Sequence, residues 1–145
     1  MSNFGHVGLN VSDVSRSQQF YQQVFGFDVI KESNDADHRF VLLGEDGKAV
    51  VTLWQQSTGK FKKDTPGLHH LAFWVDNIHA VENIEHQLRD MKVNFLYDGI
   101  VAHSEGAKSA GIFFEDPDGI RLEIFSPDGG DQHEAPESGT ACGLF

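Results

Sequence analysis

The chain has 145 residues, 22 acidic side chains against 11 basic ones and a formal net charge of −11, which suits one domain with a real core but repels nucleic-acid phosphates and anionic membranes. No apolar stretch approaches the roughly 20 residues of a membrane span. Met1 to His6 lacks the basic-then-apolar pattern of a secretory signal and the single Cys142 permits no internal disulfide, so the expectation is a cytoplasmic protein that binds a small molecule.

Residues 4–11 alternate as a strand, with Gly5, Val7, Leu9 and Val11 on one face and His6, Gly8 and Asn10 on the other. Ser12 or Asp13 can cap a helix over about 13–25 whose buried stripe is Val14, Tyr21, Val24 and Phe25, and Gly26 ends it. Three extended runs follow, Phe27 to Lys31, Arg39 to Leu43 and Ala49 to Trp54, the last two joined by Glu45-Asp46-Gly47. This is one βαβββ unit over about 4–56. The polar stretch 57–66 reads as a linker.

The order then begins again. Leu68 to Val75 is a strand, and Asp76 or Asn77 can cap a helix over about 77–92 with Ile78, Val81, Leu88 and Met91 inside. Val93 to Tyr97 is extended, Asp98 to Ala107 is a loop, and Ala110 to Phe114 is a strand. Asp116-Pro117-Asp118-Gly119 makes a turn into a last strand, Ile120 to Phe125. Residues 128–145, rich in Gly, Pro and acids, form an irregular or mobile tail that carries Asp128, Asp131, Glu134 and Glu137 without any Lys or Arg.

The halves overlay. His6 to Val11 falls on His70 to Val75 at an offset of 64, and Asp46-Gly47 falls on Asp118-Gly119 at an offset of 72. The expected architecture is α+β, with two paired βαβββ modules (about 4–56 and 67–127) in one domain, 1–127, making one curved sheet around a cleft with the helices outside.

His6 and His70 occupy equivalent places in the first strand of each module, and Glu123 interrupts an otherwise apolar strand. Taken singly, such a His is more often a hydrogen-bonded core or surface residue, and such a Glu more often faces solvent. Together, two imidazoles and a carboxylate on apolar strands are costly to bury unless paired or bound to a metal. Fe(II), Mn(II), Ni(II), Co(II) and Zn(II) all accept a set of two His and one carboxylate that leaves positions open for substrate.

The segments His6 to Asp13, Phe20-Tyr21, Gly26-Phe27, His70 to Phe73 and Phe113 to Glu123 resemble the vicinal oxygen chelate superfamily, which includes glyoxalase I, extradiol dioxygenases, and fosfomycin and bleomycin resistance proteins. The resemblance spans residues 4–127. It implies a divalent metal held by His6, His70 and Glu123, and a lyase, isomerase or dioxygenase acting on a small substrate chelated through two oxygens. Dimers are common in the superfamily, which leaves a homodimer open.

Thr52 stands where glyoxalase I has a further metal ligand, and threonine is a poor ligand that can at most bond a metal-bound water. His103 to Glu123 is close to the extradiol signature, with Phe113 in place of its Tyr. His103 also sits, with Ser104, Lys108 and Ser109, near the loop expected to close over the cleft, and is the candidate acid or base, a solvated loop histidine being the plainer alternative. Arg121 shares a strand face with Glu123 and is a candidate for an anionic substrate group, while Thr52, Trp54, Phe114 and Tyr97 are candidates to line the pocket. His69 is expected on the opposite face from His70. The alternative function is a metal-free protein that sequesters a cationic antibiotic, as acidic binding members of the superfamily do.

Overall fold

The computed structural model describes residues 1–137 and 139–143. It divides into two compact units, Met1–Phe61 and a second from Lys62 onward. Each holds one four-stranded mixed sheet and one long helix, so the α+β class and the two βαβββ modules are as expected. No helix among the described residues is long and apolar enough to cross a membrane.

In the first unit the elements are β1 (Val7–Val11), α1 (Val14–Phe25), β2 (Asp28–Asp35), β3 (His38–Glu45) and β4 (Lys48–Gln55). The sheet order is β1-β4-β3-β2, and β1 runs parallel to β4 because α1 makes the crossover between the first and second strands. Asp13 caps α1 by accepting the Arg16 N–H at 3.1 Å. At the other end Gly26, at φ 72°, donates its N–H to the Gln22 carbonyl at 2.8 Å. The helix buries Val14, Phe20, Tyr21 and Val24, and the sheet buries Leu9, Val11, Val41, Leu43, Val51 and Leu53. Asp46 and Gly47, both at positive φ, form the tight β3–β4 turn that their sequence predicts.

The second unit repeats the plan with β5 (Leu71–Trp74), α2 (Ile78–Asp90), β6 (Val101–Ala102), β7 (Ala110–Glu115) and β8 (Arg121–Ser126), in the order β5-β8-β7-β6. Asn77 caps α2 through the Ala80 N–H at 2.9 Å. In the β7–β8 turn the buried Asp116 accepts the N–H groups of Asp118 and Ile120 through one carboxylate oxygen, each at 2.9 Å. That clamp sets a register in which Phe113 lies opposite Glu123 and Phe114 opposite Leu122. Because strand side chains alternate, Ile112, Phe114, Leu122 and Ile124 share one face and Phe113, Arg121, Glu123 and Phe125 share the other. All but Phe125 are buried.

Three expectations are corrected. The first strands of the modules begin at Val7 and Leu71, so His6 and His70 stand just before them rather than at their centres. Residues 93–97 make no strand but a single bridge, Phe95 to Phe114, and the loop after them contains the short β6. The tail, where described, is not free of the fold. It forms two short 3-10 helices, Gly130–Gln132 and Ala141–Gly143, and lies on the second unit. Gly130 donates to the Lys108 carbonyl at 2.5 Å, Glu134 accepts the Ala102 N–H at 3.1 Å, and Ala141 donates to the His103 carbonyl at 2.9 Å. A Cβ on Gly130 would lie 2.6 Å from the carbonyl oxygens of both Lys108 and Ser109, so only glycine permits this approach.

Candidate active site

Glu123 is the centre of the site in the second unit. Its side chain is 2% exposed, and each carboxylate oxygen meets a different group. Oε1 contacts His103 Nε2 in a short hydrogen bond. Oε2 faces His70 Nε2 at 3.2 Å and accepts from the Cys142 thiol at 3.5 Å. Removing a carboxylate from water costs several kcal/mol unless such partners replace the lost hydration.

Each partner is itself held. His103 places Nδ1 2.6 Å from Ser109 Oγ, and its backbone N–H donates to the Ser109 carbonyl at 3.1 Å, so both main chain and ring are tied to Ser109. The edges of the Phe113 and Phe125 rings meet the His103 imidazole at centroid distances of 6.2 and 5.2 Å. His70 turns Nδ1 toward His69 Nδ1 at 2.8 Å, which leaves Nε2 for Glu123. His69 is exposed, as expected, but its ring meets that of His70 instead of pointing to the opposite face, since the residue precedes β5 and strand alternation does not govern it. Arg121 is 3% exposed, and its Nε–H donates to the His69 carbonyl at 2.9 Å. It therefore anchors the segment that carries His70.

Cys142, the residue that local sequence reasoning left in a mobile tail, is brought to Glu123 by the docked 3-10 helix. Tyr97 OH donates to the Ala141 carbonyl at 2.5 Å and pins that helix from the other side. Burial, reinforced by the negative charge and hydrogen bond of Glu123, pushes the thiol up from 9.0 to about 11. Burial also raises the Tyr97 phenol, with a smaller contribution from Cys142.

The donor atoms of His70, Glu123 and Cys142 all lie within 4.8 Å of one another, a set chemically suited to a divalent ion. Of the other residues expected at the site, Phe114 is fully buried and packs on Phe95 at a centroid distance of 6.5 Å. It serves the core and lies on the face opposite to Glu123. Thr52 and Trp54 meet in the first unit, where Trp54 Nε1 donates to Thr52 Oγ1 at 2.9 Å. Gly8 pairs with Thr52 in register, and a Cβ there would meet Thr52 Oγ1 at 3.3 Å and Trp54 Nε1 at 3.6 Å. His6 is exposed on the segment before β1.

The profile of the Glyoxalase/Bleomycin resistance protein/Dioxygenase superfamily matches residues 3–124. The chain belongs to that superfamily. Among curated members of the glyoxalase/dioxygenase superfamily it is 30% identical to the lactoylglutathione lyase of Haemophilus influenzae over 129 residues, covering 82% of this chain and 88% of the relative. It is 26% identical to the catechol-2,3-dioxygenase of Bacillus subtilis over 133 residues, covering 86% of this chain but only 41% of that longer protein. Among solved structures, the fosfomycin resistance protein FosX of Listeria monocytogenes, in complex with Mn(II) and sulfate, shares the fold with a TM-score of 0.69 at 17% identity, covering 91% of this chain and 98% of that one.

Proposed function

We propose that the protein is a metal-dependent enzyme of the lyase, isomerase or dioxygenase type, acting on a small substrate that is chelated through two neighbouring oxygens. The observation that carries this reading is Glu123, a buried carboxylate faced by the Nε2 atoms of His70 and His103. The names of the relatives, a lyase and a dioxygenase, support it, as does the Mn(II) of the FosX structure.

In this reading His70 and Glu123 hold the ion, and the resemblance adds His6 as the third ligand. An ion held there would supply Lewis-acid stabilisation of negative charge on the substrate oxygens. His70 is suited to its part because its Nδ1 is taken up by His69, and an outer partner of this kind fixes the tautomer of a ligating imidazole. His103 keeps Glu123 aimed through Oε1, and its contact with Ser109 gives it a route to exchange a proton with a hydroxyl. Thr52 and Trp54 are the proposed substrate contacts of the first module.

Calorimetric titration of the chelator-treated protein with Mn(II), Ni(II), Zn(II) and, without air, Fe(II) tests this. One ion per chain is expected, with binding lost in His70→Ala and weakened in His6→Ala. Failure of all four ions to bind overturns the reading and returns the protein to the metal-free binding class.

A further inference from the structure

The sulfur of Cys142 belongs to no ligand set that the sequence resemblance implies, yet it lies beside the same carboxylate oxygen as His70. Sγ is 3.5 Å from Glu123 Oε2, and His70 Nε2 is 3.2 Å from it. These separations can be compared with the edges of a tetrahedral site. Metal–nitrogen and metal–oxygen bonds of about 2.0–2.1 Å and a metal–sulfur bond of about 2.3 Å put neighbouring N and O donors roughly 3.3 Å apart, and S and O donors roughly 3.6 Å apart. Both observed spacings match, and the remaining pair, His70 with Cys142, lies within the 4.8 Å common to the set.

The placement is not that of a loose chain end. The residue before the thiol is buried, donates its N–H to the His103 carbonyl and accepts the Tyr97 hydroxyl. Upstream, Gly130 sits on the Lys108 and Ser109 backbone at a distance that admits no Cβ. The tail is thus guided onto the second unit at two places, and both bring its later helix over Glu123.

From this geometry we propose that Cys142 is a ligand of the same ion as His70 and Glu123, delivered by the C-terminal segment. The inference rests on the metal reading above. On binding, the thiol passes its proton to solvent and the sulfur joins the ion as thiolate. A sulfur donor favours Zn(II) and Co(II) over harder ions such as Mn(II), so the tail sets metal preference. It also fills a coordination position, which substrate oxygens must then share or take by displacing it.

Because Cys142 is the only cysteine, cobalt spectroscopy isolates its contribution. The full chain, stripped with chelator and kept reduced, is titrated with Co(II) without air. Visible ligand-field bands report binding, and a near-ultraviolet sulfur-to-cobalt band reports the thiolate. Both are expected in the native protein. Cys142→Ser should keep the visible bands, lose the near-ultraviolet band, and bind Zn(II) on the order of 10–100-fold more weakly, at least the effect of losing an outer partner of a ligand. Visible bands without the sulfur band in the native protein overturn the thiolate while leaving the metal reading intact. Absence of every cobalt band overturns both.

Discussion

Substituting Gly130 with alanine perturbs the tail at the point of closest approach. The new Cβ would meet the Lys108 and Ser109 carbonyl oxygens at 2.6 Å and the Lys108 carbonyl carbon at 2.7 Å. Ordinary contacts lie near 3.5–4.0 Å, and backbone atoms joined to β7 cannot retreat by that much. Overpacking of this kind costs roughly 1–3 kcal/mol, which at 1.4 kcal/mol per tenfold shifts the balance from docked to undocked tail by about 5–150-fold. The penalty falls on a peripheral segment, so the sheets and helices should keep their thermal transition within a few degrees.

Alkylation of Cys142 by iodoacetamide, followed by mass spectrometry on metal-free protein, reads the shift. Docked, with the thiol near 11, about one sulfur in a thousand is ionised at pH 8, against roughly one in eleven for a thiol at 9.0. The docked form is therefore slow both because it is covered and because it is protonated. Alkylation of Gly130→Ala should accelerate by the factor by which docking weakens. An unchanged rate would refute the docking argument, and so would a faster rate accompanied by loss of the cooperative transition of the whole unit.

Two further outcomes follow from the same contacts. Glu123→Gln removes the charge that raises Cys142, so the thiol of the metal-free variant should fall from about 11 toward 9.0 without reaching it, since burial remains the largest cause. Alkylation against pH locates that midpoint. The sign for stability is that a raised thiol value favours the fold below 9.0 and loses this contribution as pH rises through about 11. Arg121→Lys replaces the buried Nε–H that holds the His69 carbonyl at 2.9 Å with an ammonium of different geometry. A loss of about 1–3 kcal/mol in urea unfolding is expected, together with weaker ion binding through a displaced His70.

The modules were legible because hydrophobic alternation, helix caps and turn residues all agree in both halves. Asp13 and Asn77 cap their helices, and Asp46-Gly47 and Asp118-Gly119 turn their hairpins, where local chemistry calls for them. Glu123 and His70 stood out for the reason that makes them costly, a polar group on or beside an apolar strand.

What was missed depended on distant partners. His69 and His70 precede the strand, so period-two reasoning set apart two rings that in fact touch. Arg121 was read on the face of Glu123, as found, but that Phe114 lies on the opposite face follows only from the paired register with Leu122. Cys142 had no local signal at all. Gly129-Gly130, which reads as a flexible run, is instead the close approach that seats the tail.

The partners of Glu123 differ greatly in how far along the chain they lie, and this sets an order for assembly. His103 and Cys142 each come from within about 20 residues of it, through the β7–β8 hairpin and the segments on either side, so short loops bring them in. His70 arrives just ahead of β5, a four-residue edge strand joined to β8 by parallel pairs between residues about 50 positions apart. Short, partly buried and held on one side within its sheet, β5 is the strand of this unit with most to gain from a tether. An ion held by His70 and Glu123 is such a tether. Amide hydrogen exchange at Leu71 to Trp74 would then slow on metal loading far more than exchange at β7, and the last strand to join the sheet would be the one the ion keeps there.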